Sequence, residues 1–169
     1  YNSAVRIFGG DPESISLRVL ASWLLTRSDT GSTGVTNDNA GSVGALPYAD
    51  FKATATLNYH YGDFSGMLQT RYIGDGYQNA CGQAGNCGTR VYYEDNSVPG
   101  VAYVDLRLGY DFDVRGADVQ VSAMVTNLFD KDPPLTPTYI GLSEHAAQSN
   151  ASLYDVLGRR YTLGVRVKM

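Results

Sequence analysis

No run of eighteen apolar residues occurs in this chain, so no transmembrane helix can be drawn from it. Charge is also scarce, at 18% of residues, yet mean hydropathy is only -0.21, too polar a mixture for helical spans. Clusters of basic residues interleaved with aromatics are missing, and the net charge is -4 with a pI near 5.0, which sets aside a nucleic-acid partner. With two histidines, neither near Cys81 or Cys87, no ligand set for a metal assembles in the sequence. Neither a Ser, His and Asp arrangement nor a pair of suitably spaced carboxylates stands out. The glycine-rich GSTGVTNDNAGSVG lacks the strand-to-helix setting of a phosphate loop. The expectation is therefore no enzyme and no cofactor. The opening YNSAVRIF has neither an initiator Met nor a charged-then-apolar leader, and we expect the chain to be part of a longer one. None of this excludes a membrane protein built from strands, which need only about 9–11 residues with every second one apolar.

What the chain does have is alternation, together with 19 Gly and 13 Tyr. Six segments set an apolar parity against a polar one. Ile15, Leu17, Val19, Ala21, Trp23 and Leu25 form the apolar parity of the first, and Phe51 to Tyr61, Phe64 to Tyr72, Ala102 to Phe112, Val119 to Val125 and Tyr161 to Met169 supply the others. Within these segments every charged side chain falls on the polar parity. A half-buried soluble sheet alternates in the same way, so this pattern alone leaves both readings open.

Connection lengths distinguish them better. YGDF (61–64) and FDVRGA (112–117) predict tight turns, whereas 27–48, 74–100 and 130–160 are long, and short and long alternate strictly. Three long structureless loops are uncommon in a compact soluble domain, while outer-membrane barrels combine short periplasmic turns with long extracellular loops. Trp23, Tyr59, Tyr61, Phe64, Tyr72, Tyr110, Phe112 and Tyr161 lie near the ends of the apolar parities, where interfacial girdles belong. Six strands cannot close a membrane barrel, since the smallest have about eight, so either further strands precede Tyr1 or the protein is soluble, and the missing leader favours further strands upstream.

VTNLFDKDPP, followed by a long loop and YDVLGRRYTLGVRVKM, resembles the C-terminal end of TonB-dependent outer-membrane receptors, whose last strands carry an N-L-F-D motif and a final G-R-x-[FY]-x-x-G run. PYADFKATATLNYHYGDFSGMLQTRYIGDGY and VPGVAYVDLRLGYDF are similar to the strands before them, so the likeness runs from about Ile15 to Met169. The family usually ends on Phe, where this chain ends on Met169. The resemblance implies an all-β fold, with residues 1–169 as the last six strands or so of an antiparallel transmembrane barrel of the 22-stranded type, its plug domain and TonB box lying outside this chain. It also implies a location in the outer membrane of a Gram-negative bacterium. The implied partners are outer-membrane lipid, the receptor's own plug and through it TonB, the barrel-assembly machinery, and a scarce small-molecule nutrient such as a ferric chelate (siderophore uptake), vitamin B12 or an oligosaccharide. In this frame VQVSAMVT rises through the bilayer and NLFDKDPP is its extracellular exit, with Pro133 and Pro134 ending the ladder. A passive porin or small adhesion barrel is the alternative; a barrel enzyme would need a catalytic group on the polar face, and none is evident.

His60, Arg71, Asp105, Arg107, Arg166 and Lys168 project to the polar face, either to contact substrate or plug or to form a lumen-lining ion-pair network that holds the wall. In or beside the last long loop, Tyr139, Glu144, His145, Tyr154 and Asp155 are candidates for ligand contact, against the alternative of a solvated loop. Cys81 and Cys87, in CGQAGNC, are expected to close a small disulfide loop in an oxidising compartment. On intact cells a membrane-impermeant thiol reagent should then label them only after reduction. Labelling without reductant would refute the bridge, and labelling confined to lysed cells would refute the orientation.

Overall fold

The computed structural model describes residues 2–3, 13–30, 34, 36–44, 46–78, 95–136 and 149–168. Among them there is no helix, and the elements are β1 (Asn2–Ser3), β2 (Glu13–Trp23), β3 (Ser28–Thr30), β4 (Thr36–Asp38), β5 (Phe51–Tyr61), β6 (Phe64–Ile73), β7 (Gly76–Tyr77), β8 (Ser97–Val98), β9 (Val101–Val114), β10 (Ala117–Thr126) and β11 (Arg160–Lys168). The six long strands β2, β5, β6, β9, β10 and β11 make one antiparallel sheet in chain order, with β1 added beside β2. Among the described residues the sheet stays open: β11 pairs only with β10, and β2 is met on its outer side only by β1.

The two predicted tight turns form, and their backbone fits the twist of the strands they join. Gly62 takes φ 52° at the first central position, the conformation a type II′ hairpin demands. Arg115 and Gly116 both have positive φ, 56° and 84°, as a type I′ hairpin requires, and the Gly116 N–H donates to Asp113 Oδ1 at 3.1 Å.

Two expectations are corrected at the strand ends. Strand β2 begins at Glu13 rather than Ile15, which puts a carboxylate on the apolar parity. Glu13 is tolerated there because it sits in the last row, opposite Tyr61, and accepts the Tyr59 hydroxyl at 2.8 Å. The prolines, too, are not what ends β10: its ladder stops at Thr126, and the next residue, Asn127, turns the chain at φ 54° well before Pro133.

The described parts of the long connections are more ordered than their sequences suggest. They carry the β3–β4 and β7–β8 pairs and are tied to one another, with Val43 N–H donating to Tyr77 O (3.0 Å), Gln78 Nε2 to Leu135 O (3.1 Å) and Asn150 Nδ2 to Val43 O (3.2 Å). Beneath them lies the core, comprising Val43, Ala49, Ile73, Val98, Val101, Tyr103 and Tyr154. Ile73, Val101 and Tyr103 come from the polar parity of β6 and β9, so the core occupies the loop end of the polar face.

Candidate functional site

Among the described residues nothing covers the apolar parity. Leu163 is 84% exposed, Val19 61% and Leu108 41%, whereas the buried cluster sits on the opposite face. The register aligns this surface into rows that cross the sheet. One runs Leu17, Leu57, Leu68, Leu106, Val125, Tyr161; its neighbour runs Ile15, Tyr59, Gly66, Leu108, Ala123, Leu163. Aromatic rings bound the rows at both ends. Trp23, Phe51 and Tyr72 form a chain with centroids 5.1 and 6.0 Å apart at the loop end. At the turn end, Tyr59 with Phe64 and Tyr110 with Phe112 each stand 6.3 Å apart. Phe51 and Tyr61 are the two ends of the 11-residue β5. At ~3.3 Å per residue, the two aromatic zones stand about 33 Å apart along the strand.

The polar face brings together some of the expected residues and separates the rest. Arg71 Nε donates to Asp105 Oδ2 at 3.2 Å, while Asp105 Oδ1 accepts the Asn127 backbone N–H at 2.9 Å, so both oxygens of this 4%-exposed carboxylate are used. The Arg71 guanidinium also lies 5.6 Å above the centroid of the Tyr103 ring. Arg107 stands exposed between Met67 and Met124, and His60 is exposed opposite Ser14 and Ser65; neither joins the Arg71–Asp105 pair. Arg166 and Lys168 lie at the turn end, where they line a depression of about 580 Å³ with Asp63, Asp111, Asp113 and Asp118.

Sequence reasoning missed a clasp where β10 ends and β11 begins. Asn127, fully buried, holds the turn with its side chain: Nδ2 donates to Lys131 O at 3.0 Å, and Oδ1 accepts the Lys131 N–H at 2.9 Å. Asp130 accepts the Arg159 N–H at 2.9 Å and pairs with its guanidinium at 3.6 Å. One residue on, Arg160 grips Asp155 with both Nη atoms, at 3.0 and 3.3 Å. NLFD and GRRY thus meet as one structural unit. Its signal lay in the asparagine and aspartate, residues that accept left-handed backbone and bond to nearby N–H groups. Asn127→Ala should lower stability by about 2–3 kcal/mol through lost bonds and strained backbone, and Asn127→Gly should recover about 1 kcal/mol of that. The midpoint of thermal unfolding in detergent measures both, and equal midpoints for Asn, Gly and Ala would show that the clasp holds nothing.

Of the loop candidates, Tyr154 is 4% exposed and belongs to the core, and burial beside Tyr103 pushes its hydroxyl up to about 12. Asp155 is held by Arg160. Tyr139, Glu144, His145, Cys81, Cys87 and Met169 lie outside the described residues. Among the described residues no group of three His, Cys, Asp or Glu could hold a metal ion. No family model, curated protein or solved structure matches this chain. What can be said of function therefore rests on the two faces.

Proposed function

We propose that this chain is wall and extracellular loops of an outer-membrane β-barrel, and that the barrel is a TonB-dependent receptor taking up a scarce nutrient such as a ferric chelate, vitamin B12 or an oligosaccharide. The observation that carries the reading is where burial falls. A soluble sheet hides its apolar face and wets its polar one. Here, among the described residues, the apolar face is bare, with aromatic zones about 33 Å apart along the strand that a barrel tilt of ~45° would turn into a band of about 23 Å, and the core lies on the other side. Lipid is the medium in which that arrangement is stable.

Connection lengths support the same reading, with tight turns at one end of the sheet and three long, mutually bonded loops at the other. Among the described residues β11 pairs only with β10, and the N–H and C=O groups along its outer side need partners in lipid, which further strands of a larger barrel would supply. The polar face then lines the lumen, where Arg71, Asp105 and their neighbours brace the wall and meet the plug. The receptor assignment, as opposed to a plain barrel, leans on the resemblance of VTNLFDKDPP and GRRYTLG to that family. Uptake of a labelled ferric chelate by cells bearing the whole protein tests it. Accumulation should stop when the TonB gene is deleted or a protonophore is added, whereas a passive porin would continue to admit the label.

A further inference from the structure

We infer that the polar face carries a site for a small polyanion, a molecule with two or more carboxylate or phosphate groups, held among Arg18, Arg71 and Arg107 with Lys52 at the rim. The inference rests on the reading of this face as a lumen wall and narrows the substrate class within it.

Register fixes the geometry. Arg18 on β2 shares a row with Thr56, Gln69 and Asp105. Arg71 stands one row nearer the loops, beside Thr54, and Arg107 one row nearer the turns, beside Met67. With strands ~4.8 Å apart and same-face residues ~6.7 Å apart along a strand, the three arginine Cα atoms form a triangle with edges of about 12–16 Å. Thr54, Thr56, Asn58 and Gln69 pave its floor with hydroxyls and amides.

Charge in this zone is not neutralised. Among the described residues Arg18, Lys52 and Arg107 form no ion pair, and all three are exposed. Among the described residues Asp105 is the one carboxylate on the polar parity of these rows, its two oxygens already taken by Arg71 Nε and the Asn127 N–H, while the loop carboxylates Asp132 and Asp155 lie near Tyr103, with Asp155 held by Arg160. The sign reverses toward the turns, where Asp63, Asp111, Asp113 and Asp118 outnumber Arg166, Lys168 and Arg115. A lumen wall lined with one sign of charge would concentrate ligands of the opposite sign, and arginine forks match carboxylate and phosphate oxygens. A neutral sugar would want aromatic platforms instead. On this face the only described Phe, Tyr or Trp within the long strands is Tyr103, which is buried.

The test is calorimetric titration of the whole detergent-purified protein with citrate at low and high salt. Citrate should bind, and added salt should weaken it. The double variant Arg18→Gln, Arg107→Gln should weaken it roughly tenfold or more, about the loss of one charge-assisted hydrogen bond. Arg115→Gln, a like charge in a distant turn, should leave it unchanged. Equal citrate affinity in parent and double variant overturns the inference. So does a properly inserted protein that ignores citrate, or a double variant that loosens only the protease resistance of the plug. The receptor reading survives each of those results and fails separately, if the protein does not insert at all.

Discussion

Asp105→Ala should destabilise the folded sheet by about 2–3 kcal/mol. Breaking a fully buried ion pair costs about 3–5 kcal/mol, and water reaching Arg71 reduces that here, since its side chain is 38% exposed. The remainder comes from two stranded partners. Arg71 Nε loses its acceptor, and the Asn127 N–H is left in a fully buried turn with nothing to donate to. Asp105→Asn should fall between alanine and the parent, because an amide oxygen can still accept the Asn127 N–H while its NH₂ faces the guanidinium. Thermal unfolding in detergent reads all three. Equal midpoints for Asp, Asn and Ala would remove Asp105 as the link between the wall and the β10 exit.

A charge placed on the apolar face should act through a different medium. Leu68 lies in the middle row of that face, and Leu68→Arg should cost about 2–4 kcal/mol if the row sits at the bilayer midplane. Gln69→Arg, one residue along but on the polar face, should cost much less, and Trp23→Arg in the loop-end aromatic zone only about 0–1 kcal/mol. The heat-modifiable folded band in the outer-membrane fraction measures the outcome. If water covered this face, Leu68→Arg would be harmless, since the side chain is already 38% exposed. Equal folded bands for Leu68→Arg and Gln69→Arg would therefore contradict a lipid-facing surface.

Legibility in the sequence follows the range of the interactions involved. Period-two alternation is local, and it located β5 and β6 at their observed limits and the other long strands to within two residues or so. Glu13 escaped because a charge on the apolar parity reads as loop, and only its place in the terminal row beside Tyr59 makes it strand. Pro133 and Pro134 drew attention as breakers, while the residue that ends β10 is Asn127, whose role depends on Asp105 on the neighbouring strand. The loop core was illegible for the same reason. Gln78 meets Leu135 across 57 residues and Asn150 meets Val43 across 107, and no local pattern announces such pairs. Tyr154 thus looked like a loop aromatic free to touch ligand, although packing with Tyr103 makes it core.

Spin-label scanning of Ala117 to Thr126 in a lipid bilayer tests the central claim most directly, by comparing collisions with oxygen, which partitions into lipid, and with a water-soluble nickel chelate. Labels at Val119, Val121, Ala123 and Val125 should meet oxygen strongly and the chelate weakly, and labels at Gln120, Ser122, Met124 and Thr126 should break that pattern at every step. Strong collisions with the nickel chelate at the four odd positions, or no alternation along the strand, would contradict a membrane-facing sheet.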